Sequence, residues 1–99
     1  MNISCIILLP PYALFPLGQI VATAHARDVL VIGDVVQSLA RHARGDWGEV
    51  DAEDREANHA ALAGSARLLS AYTDCKGTKF WIITEADRAT TTVLLHEDY

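Results

Sequence analysis

Three strand-length segments separated by two short turns fill the second half of this 99-residue chain. Residues 65–73, 78–84 and 90–95 are rich in β-branched and aromatic side chains, which favour pleated structure. The two links between them, DCKG and EADR, consist of residues that are typical of tight turns. Because links this short join neighbouring antiparallel strands, the sequence predicts a three-stranded antiparallel meander.

Two of these segments carry apolar residues on both faces of the predicted sheet. Residues 81–83 and 93–95 are apolar at every position, whereas a strand with one solvated face alternates apolar and polar residues. We therefore expect helices on one face, and either an apolar N-terminal arm (residues 1–14) or a second subunit on the other. A domain this small buries only about 60 to 65% of its unfolded surface, which favours a homodimer.

The first half of the chain begins with one more strand signal, which leads into a helix. Residues 17–23 alternate in the period of a strand after two prolines that prevent an early helix. Thr23 is a favourable N-cap for a helix over residues 24–32, and Gly33 is its expected end. This strand is in a position to join the sheet of the meander.

Two further helices are predicted from their capping residues. Asp34 and Gln37 have the spacing of a capping box, and Gly45 is a natural stop for the helix that they open. Asp51 predicts the start of a third helix, which ends at Gly64. The sequence thus predicts a single α+β domain over residues 1–99, in which two to three helices pack on a small antiparallel meander.

The charge distribution constrains the class of partner. The formal net charge is −5, and nine acids face five bases after Val50, against four acids and three bases before it. Contacts to phosphates need clustered basic residues, so nucleic-acid binding is not expected. The predicted acidic helix start, with Glu53 and Asp54 in its first turn, instead favours a protein partner with a basic surface.

Cysteine and histidine spacing gives no indication of a disulfide or a metal site. Cys5 and Cys75 are far apart, which favours reduced thiols in the cytoplasm, and residues 6–9 are too short an apolar run to span a membrane. No two histidines have the spacing of a metal-binding pair, so no metal or cofactor is expected. The four are His25, His42, His59 and His96.

The stretch RHARGDWG, residues 41–48, has two interpretations. As structure, Arg41, His42 and Arg44 complement the negative end of a helix dipole, Asp46 turns the chain, and Trp47 is buried. As a site, a histidine beside a carboxylate and arginines suits acid and base chemistry. Both interpretations stay open at the level of sequence.

The turn at residues 84–88 and the threonines after it form the second candidate group. Asp87 and Thr91 are candidate binding residues there, together with Arg41, Asp46, Trp47, Glu53 and Asp54 from the preceding segments. Helices followed by a meander resemble the layout of small metal-independent ribonuclease toxins. That resemblance implies His42 as general base, with Arg44, Thr84 and Arg88 stabilising the phosphorane charge.

The chain also resembles a group of small bacterial proteins that are carried on plasmids and integrative elements. The matching stretches are LFPLGQIVAT, LARHARGDWG, LLSAY and WIITEADRATTTVLL, which run in order from about Phe15 to the C-terminal region. The resemblance implies a cytoplasmic accessory protein of a mobile genetic element. We expect a non-enzymatic protein that acts through protein contact, for example as an inhibitor of host defence, with the ribonuclease-like toxin or an inactive relative of it as the alternative.

Overall fold

The computed structural model describes residues 13–99, and it has the predicted α+β architecture. Most of the predicted arm, residues 1–14, and Cys5 lie outside the described residues. The elements, in chain order, are β1 (Gln19–Ala22), α1 (Ala24–Val29), α2 (Ile32–Ala43), α3 (Ala52–Ala63), β2 (Leu68–Thr73), β3 (Lys79–Thr84), β4 (Thr90–Leu95) and a final 3-10 turn (His96–Asp98).

The sheet has four strands in the order β1-β4-β3-β2. The pairings of β2 with β3 and of β3 with β4 are antiparallel, which confirms the predicted meander. β1 joins the sheet beside β4 and runs parallel to it, so the sheet as a whole is mixed. The segment between β1 and β4 contains all three helices as well as β2 and β3, and each helix contributes buried residues to the same core cluster.

Two of the predicted caps are confirmed. The Thr23 hydroxyl accepts a hydrogen bond from the Ala26 backbone N–H at 3.1 Å, and the Asp51 carboxylate accepts one from Asp54 at 2.8 Å. Gly45 follows α2 with a φ of +84°, the left-handed conformation expected of a helix stop. These local signals therefore define where α1 and α3 begin and where α2 ends.

The predicted capping box at Asp34 and Gln37 is wrong, and so is the predicted stop at Gly33. α2 begins at Ile32, two residues before Asp34, and contains Gly33 within its first turn. The Asp34 carboxylate accepts a hydrogen bond from the Cys75 backbone N–H at 2.8 Å. The carboxylate is thus used to join α2 to the β2–β3 turn, a long-range contact that local spacing does not reveal.

The core lies between the helices and the face of the sheet that carries Leu68, Tyr72, Phe80, Ile82 and Val93, all of which are buried. The opposite face carries Trp81, Ile83 and Leu94; Ile83 and Leu94 are buried as well. The ring of Tyr99 lies against the Trp81 ring, with centroids 4.4 Å apart, so the C-terminal turn covers part of this second face. Within residues 13–99 no helix combines the length and the apolar character that crossing a membrane requires.

Candidate functional site

A continuous chain of polar side chains runs through the interior and includes His42 from the predicted site. Its ring Nδ1 lies 2.5 Å from the Ser70 hydroxyl and its Nε2 lies 2.9 Å from the Thr84 hydroxyl. Thr84 contacts the Thr91 hydroxyl at 2.7 Å, and Thr91 donates to the backbone carbonyl of Leu17 at 2.6 Å. This chain of polar side chains, which we call the polar chain, therefore links α2 to three strands and to the segment before β1.

The backbone carbonyl of Leu17 at one end of this polar chain determines the direction of each hydrogen bond in it. A carbonyl only accepts, so the single hydroxyl proton of Thr91 is used on Leu17, and Thr84 must donate to Thr91. The proton between Thr84 and His42 then belongs to Nε2 of the ring, and Nδ1 accepts from Ser70. A neutral imidazole protonated on Nε2 gives every hydrogen-bonding side chain of this polar chain a partner.

The surroundings of His42 keep the ring neutral. His42 has no exposed surface, and the rings of Phe15 and Trp47 lie edge-on to it at 5.2 Å and 5.7 Å between centroids. Burial, together with the smaller effect of the positive charge of Arg88, lowers the pKa of His42 to about 3. The imidazole is therefore uncharged at neutral pH and serves as a structural hydrogen-bonding group.

The four residues of the ribonuclease interpretation are only partly brought together. His42 and Thr84 are in hydrogen-bond contact, but neither side chain is exposed. The Arg44 guanidinium lies 3.8 Å from the Asp46 carboxylate, and Arg88 donates to the backbone carbonyl of Ala61 at 2.8 Å at the end of α3. This arrangement offers a substrate no exposed imidazole to act as general base.

The RHARGDWG segment is held together by its own charges. Arg41 donates to both carboxylate oxygens of Asp46, at 2.8 Å and 3.1 Å, and its guanidinium lies 4.8 Å above the centroid of the Tyr72 ring. The Arg41 hydrogen bonds hold the pKa of the Asp46 carboxyl below its usual value. The Tyr72 hydroxyl donates to the Asp46 carbonyl at 2.5 Å, which fixes the turn against β2.

The chain after Trp47 lies along the outer edge of β2 and pairs with it. Ala71 of β2 donates to the Trp47 carbonyl at 3.1 Å, and the Glu49 N–H donates to the Ala71 carbonyl at 2.8 Å. Gly48 lies between these two bonds with a φ of +71°, and a Cβ there would stand 2.1 Å from the Ala71 carbonyl oxygen. Only glycine permits so close an approach, and the sequence pattern did not predict it.

Asn58 of α3 pairs with the same edge of the sheet. Its side chain accepts from the Leu69 N–H at 3.0 Å and donates to the Leu69 carbonyl at 2.7 Å. An exposed strand edge promotes pairing with other chains, and the Asn58 amide and residues 47–49 together cover this one. The same bonds fix the N-terminal half of α3 beside the second face of the sheet.

An open cleft of about 270 Å³ lies between the start of α3 and this second face. Three carboxylates are in its lining, and aromatic and basic side chains of β3 and the C-terminal turn face them. The acidic residues are Glu49, Asp51 and Asp54, and the others include Lys79, Trp81 and His96. We call this feature the acidic cleft.

The carboxylates of the acidic cleft are only partly used by the fold. Glu49 accepts one hydrogen bond from the Thr73 hydroxyl at 3.0 Å, and one oxygen of Asp51 caps α3. Within residues 13–99, none of the three acids of the cleft is in an ion pair. Trp81 is half-buried beside them, and its ring is supported by His96 and Tyr99 at centroid distances of 5.2 Å and 4.4 Å.

The predicted binding residues therefore fall into separate places. Asp54 lies in the acidic cleft, whereas Glu53 is exposed in the first turn of α3 and is not part of the cleft lining. Asp87 is exposed and accepts from the Ala89 N–H within its own turn, and Thr91 is buried in the polar chain. Trp47 is also buried, with 3% of its surface exposed.

Several residues of these sites were missed at the level of sequence. Ser70 gave a usable signal, because it alternates with Leu68 and Tyr72 on the apolar face of a strand, where a hydroxyl needs a buried partner. Glu49, Trp81 and His96 gave none, since they come together only through the pairing of residues 47–49 with β2 and of β3 with β4.

Comparisons with protein-family models, with curated proteins and with solved structures each find no match to this chain. Within residues 13–99, no group of three or more histidine, cysteine, aspartate or glutamate side chains has an arrangement that could hold a metal ion. The chemistry of the acidic cleft is therefore the main basis for assigning a function.

Proposed function

We propose that this protein is a non-enzymatic binding protein that receives a basic segment of a partner protein in the acidic cleft. The single observation that carries the proposal is the set of carboxylates at Glu49, Asp51 and Asp54 in an open cleft of about 270 Å³, beside the half-buried ring of Trp81. A lysine or arginine side chain is the group that this combination recognises best.

The chemistry of the lining favours a cation in two ways. Asp54 makes no side-chain hydrogen bond or ion pair with another described residue, so its charge is available to a partner. A cation above the face of a tryptophan gains further attraction from the ring quadrupole, which is stronger where water is partly excluded. Among the described residues of the lining, exposed Lys79 is the one lysine or arginine, so the balance of charge remains negative.

The proposed partner is a protein that handles nucleic acid. Such proteins carry basic surfaces that neutralise phosphates, and an acidic protein of net charge −5 is complementary to them. The resemblance of the sequence to proteins of plasmids and integrative elements favours an accessory role there, for example inhibition of host defence. The proposal includes a cytoplasmic location, in which the exposed free thiol of Cys75 stays reduced, and it requires no cofactor.

Self-association remains a separate prediction. This prediction is based on the apolar second face of the sheet. The contact of Tyr99 with Trp81 covers part of that face. Light scattering over micromolar concentrations measures the mass directly. A monomer throughout that range would remove the homodimer and leave the acidic cleft as the proposed interaction surface.

Affinity capture with a matched pair of variants tests the proposed function. The cleft variant carries Glu49→Gln, Asp51→Asn and Asp54→Asn; asparagine keeps the capping ability at position 51. The control variant removes three charges from exposed positions outside the cleft, at Glu56, Glu85 and Glu97. Each protein is immobilised and exposed to an extract of the native host, and the retained proteins are identified by mass spectrometry.

We expect a basic protein to be retained by the original chain and by the control variant but lost from the cleft variant. Titration calorimetry with that purified protein should then show an affinity lower by at least about tenfold for the cleft variant, since each lost charge-assisted contact weakens binding strongly. Equal retention by all three proteins would remove the acidic cleft from the interaction.

A further inference from the structure

The indole N–H of Trp47 has no hydrogen-bond partner among residues 13–99. Within the part of the chain that the structure describes, Trp47 Nε1 is the buried side-chain nitrogen that remains unsatisfied, although 97% of the residue is buried (3% exposed). A buried donor without an acceptor is costly, and native proteins seldom leave one unless a water, an ion or a ligand completes it. The surroundings of this nitrogen therefore need an explanation.

Trp47 forms part of a second open cleft, of about 370 Å³, which we call the indole cleft. Its lining consists of Gly45, Asp46, Trp47, Gly48, Arg55 and His59. The position that a Cβ on Gly45 would occupy is 3.8 Å from Cζ2 of the indole. Nε1 and Cζ2 are both bonded to Cε2, so only one ring atom separates the nitrogen from the carbon that borders the Gly45 wall of the cleft.

The indole cleft is locally cationic in an acidic protein. Arg55 and His59 are exposed and lie one helical turn apart on the same face of α3. The Arg55 guanidinium makes no ion pair with a described residue. Among the described residues of the lining, Asp46 is the only acid, and its charge is neutralised by the two hydrogen bonds from Arg41 and by Arg44 at 3.8 Å.

We propose that the indole cleft binds a carboxylate group. Arg55 presents the planar pair of donors that matches a carboxylate, the Trp47 N–H supplies a third donor, and the His59 ring, 6.4 Å from the indole between centroids, supplies a fourth. A group with one negative charge fits better than a phosphate, because Asp46 forms one wall and the whole chain carries a charge of −5. The assignment does not rest on the acidic cleft, whose preference is for the opposite charge.

Among the described residues, two exposed side chains lie beside the indole cleft. The Cδ1 atom of Leu14 lies 2.9 Å from the Cβ position of Gly45, and Leu14 is 56% exposed. His59 is exposed as well. In this proposal, a change of rotamer at these two residues admits a carboxylate oxygen to the indole edge.

Nuclear magnetic resonance of the two indole N–H groups tests the proposal on the full chain. The Trp81→Phe variant assigns the Trp47 resonance. The protein is then titrated with sodium acetate and, in separate experiments, with sodium chloride of equal ionic strength and with sodium phosphate. We expect a saturable movement of the Trp47 resonance with acetate, none with chloride, and weaker binding of phosphate.

A matched pair of arginine variants locates the anion. Arg55→Gln should weaken the binding of acetate by about tenfold, whereas Arg27→Gln, which removes an exposed arginine of α1, should change it less than about twofold. The amide spectrum of each variant reports whether it is folded. A Trp47 resonance that does not move with acetate, that moves equally with chloride, or that responds equally in Arg55→Gln would overturn the carboxylate site. Tighter binding of phosphate would overturn the assignment of ligand class.

Discussion

The buried polar chain and the acidic cleft are both made of polar side chains, yet they differ in what remains for a partner. In the polar chain, His42, Thr84 and Thr91 have no exposed surface, and each of their hydrogen-bonding groups has a protein partner. In the acidic cleft, Asp54 is partly exposed and makes no ion pair among the described residues. The first region stabilises the fold, whereas the second is available for binding.

This difference shows that the type of residue does not by itself identify a functional site. His42, the residue best suited to acid and base chemistry, lies in the region that has no surface, and burial removes its charge at neutral pH. Glu49 and Trp81, neither of which the sequence predicted as a site residue, both line the open acidic cleft. Each of the following predictions tests the boundary between the two regions or the role of one of them.

The largest loss of stability is expected at Gly48, where the chain passes from buried Trp47 to the cleft residue Glu49. In Gly48→Ala the new Cβ would stand 2.1 Å from the Ala71 carbonyl oxygen at a φ of +71°. Overpacking and the left-handed conformation together should lower the free energy of unfolding by about 4 kcal/mol, measured by urea denaturation.

Gly77→Ala is the matched control for that prediction. Gly77 also has a positive φ, +86°, but apart from its chain neighbours no described residue has an atom within 4 Å of its Cβ position. The cost should therefore be the conformational part alone, about 1 kcal/mol. Equal losses in the two variants would show that the contact with β2 contributes nothing.

The next largest effect is expected from His42→Leu. The substitution leaves the Ser70 hydroxyl without its acceptor and Thr84 without its donor in the interior, so the free energy of unfolding should fall by about 3 kcal/mol. The double variant with Ser70→Ala should lose less than the sum of the two single variants, since both partners of one bond are then removed. If the losses in the two single variants simply add, His42 and Ser70 are not coupled and the polar chain is not continuous between them.

Stability should also depend on pH through His42. Its pKa is about 3 in the folded protein and 6.5 when unperturbed, so the unfolded chain binds the proton first as the pH falls. The contribution is complete above about pH 6.5 and is lost towards pH 3; from about pH 7 to about pH 5 the loss should be about 2 kcal/mol. Denaturation of His42→Leu over the same range should lack this part of the slope, and an unchanged slope would mean that the ring is not the titrating group.

The sequence predicted the parts of the fold that depend on neighbouring residues. The meander, the caps at Thr23 and Asp51 and the stop at Gly45 all follow from local chemistry, and all are present. The parallel pairing of β1 and the contact of Asp34 with the β2–β3 turn depend on residues far apart in the chain. The burial of His42 belongs to the same class, because it follows from how α2 packs on the sheet.

The smallest effect on stability is expected in the acidic cleft, where the effect on binding should be largest. Glu49→Gln with Asp54→Asn removes two charges that make no ion pair among the described residues, so the free energy of unfolding should change by less than about 0.5 kcal/mol. Binding of a lysine- and arginine-rich peptide, measured by calorimetry at low salt, should nevertheless weaken by about tenfold. A large loss of stability in this variant would mean that the two acids stabilise the fold as His42 does, and the distinction between the two regions would no longer hold.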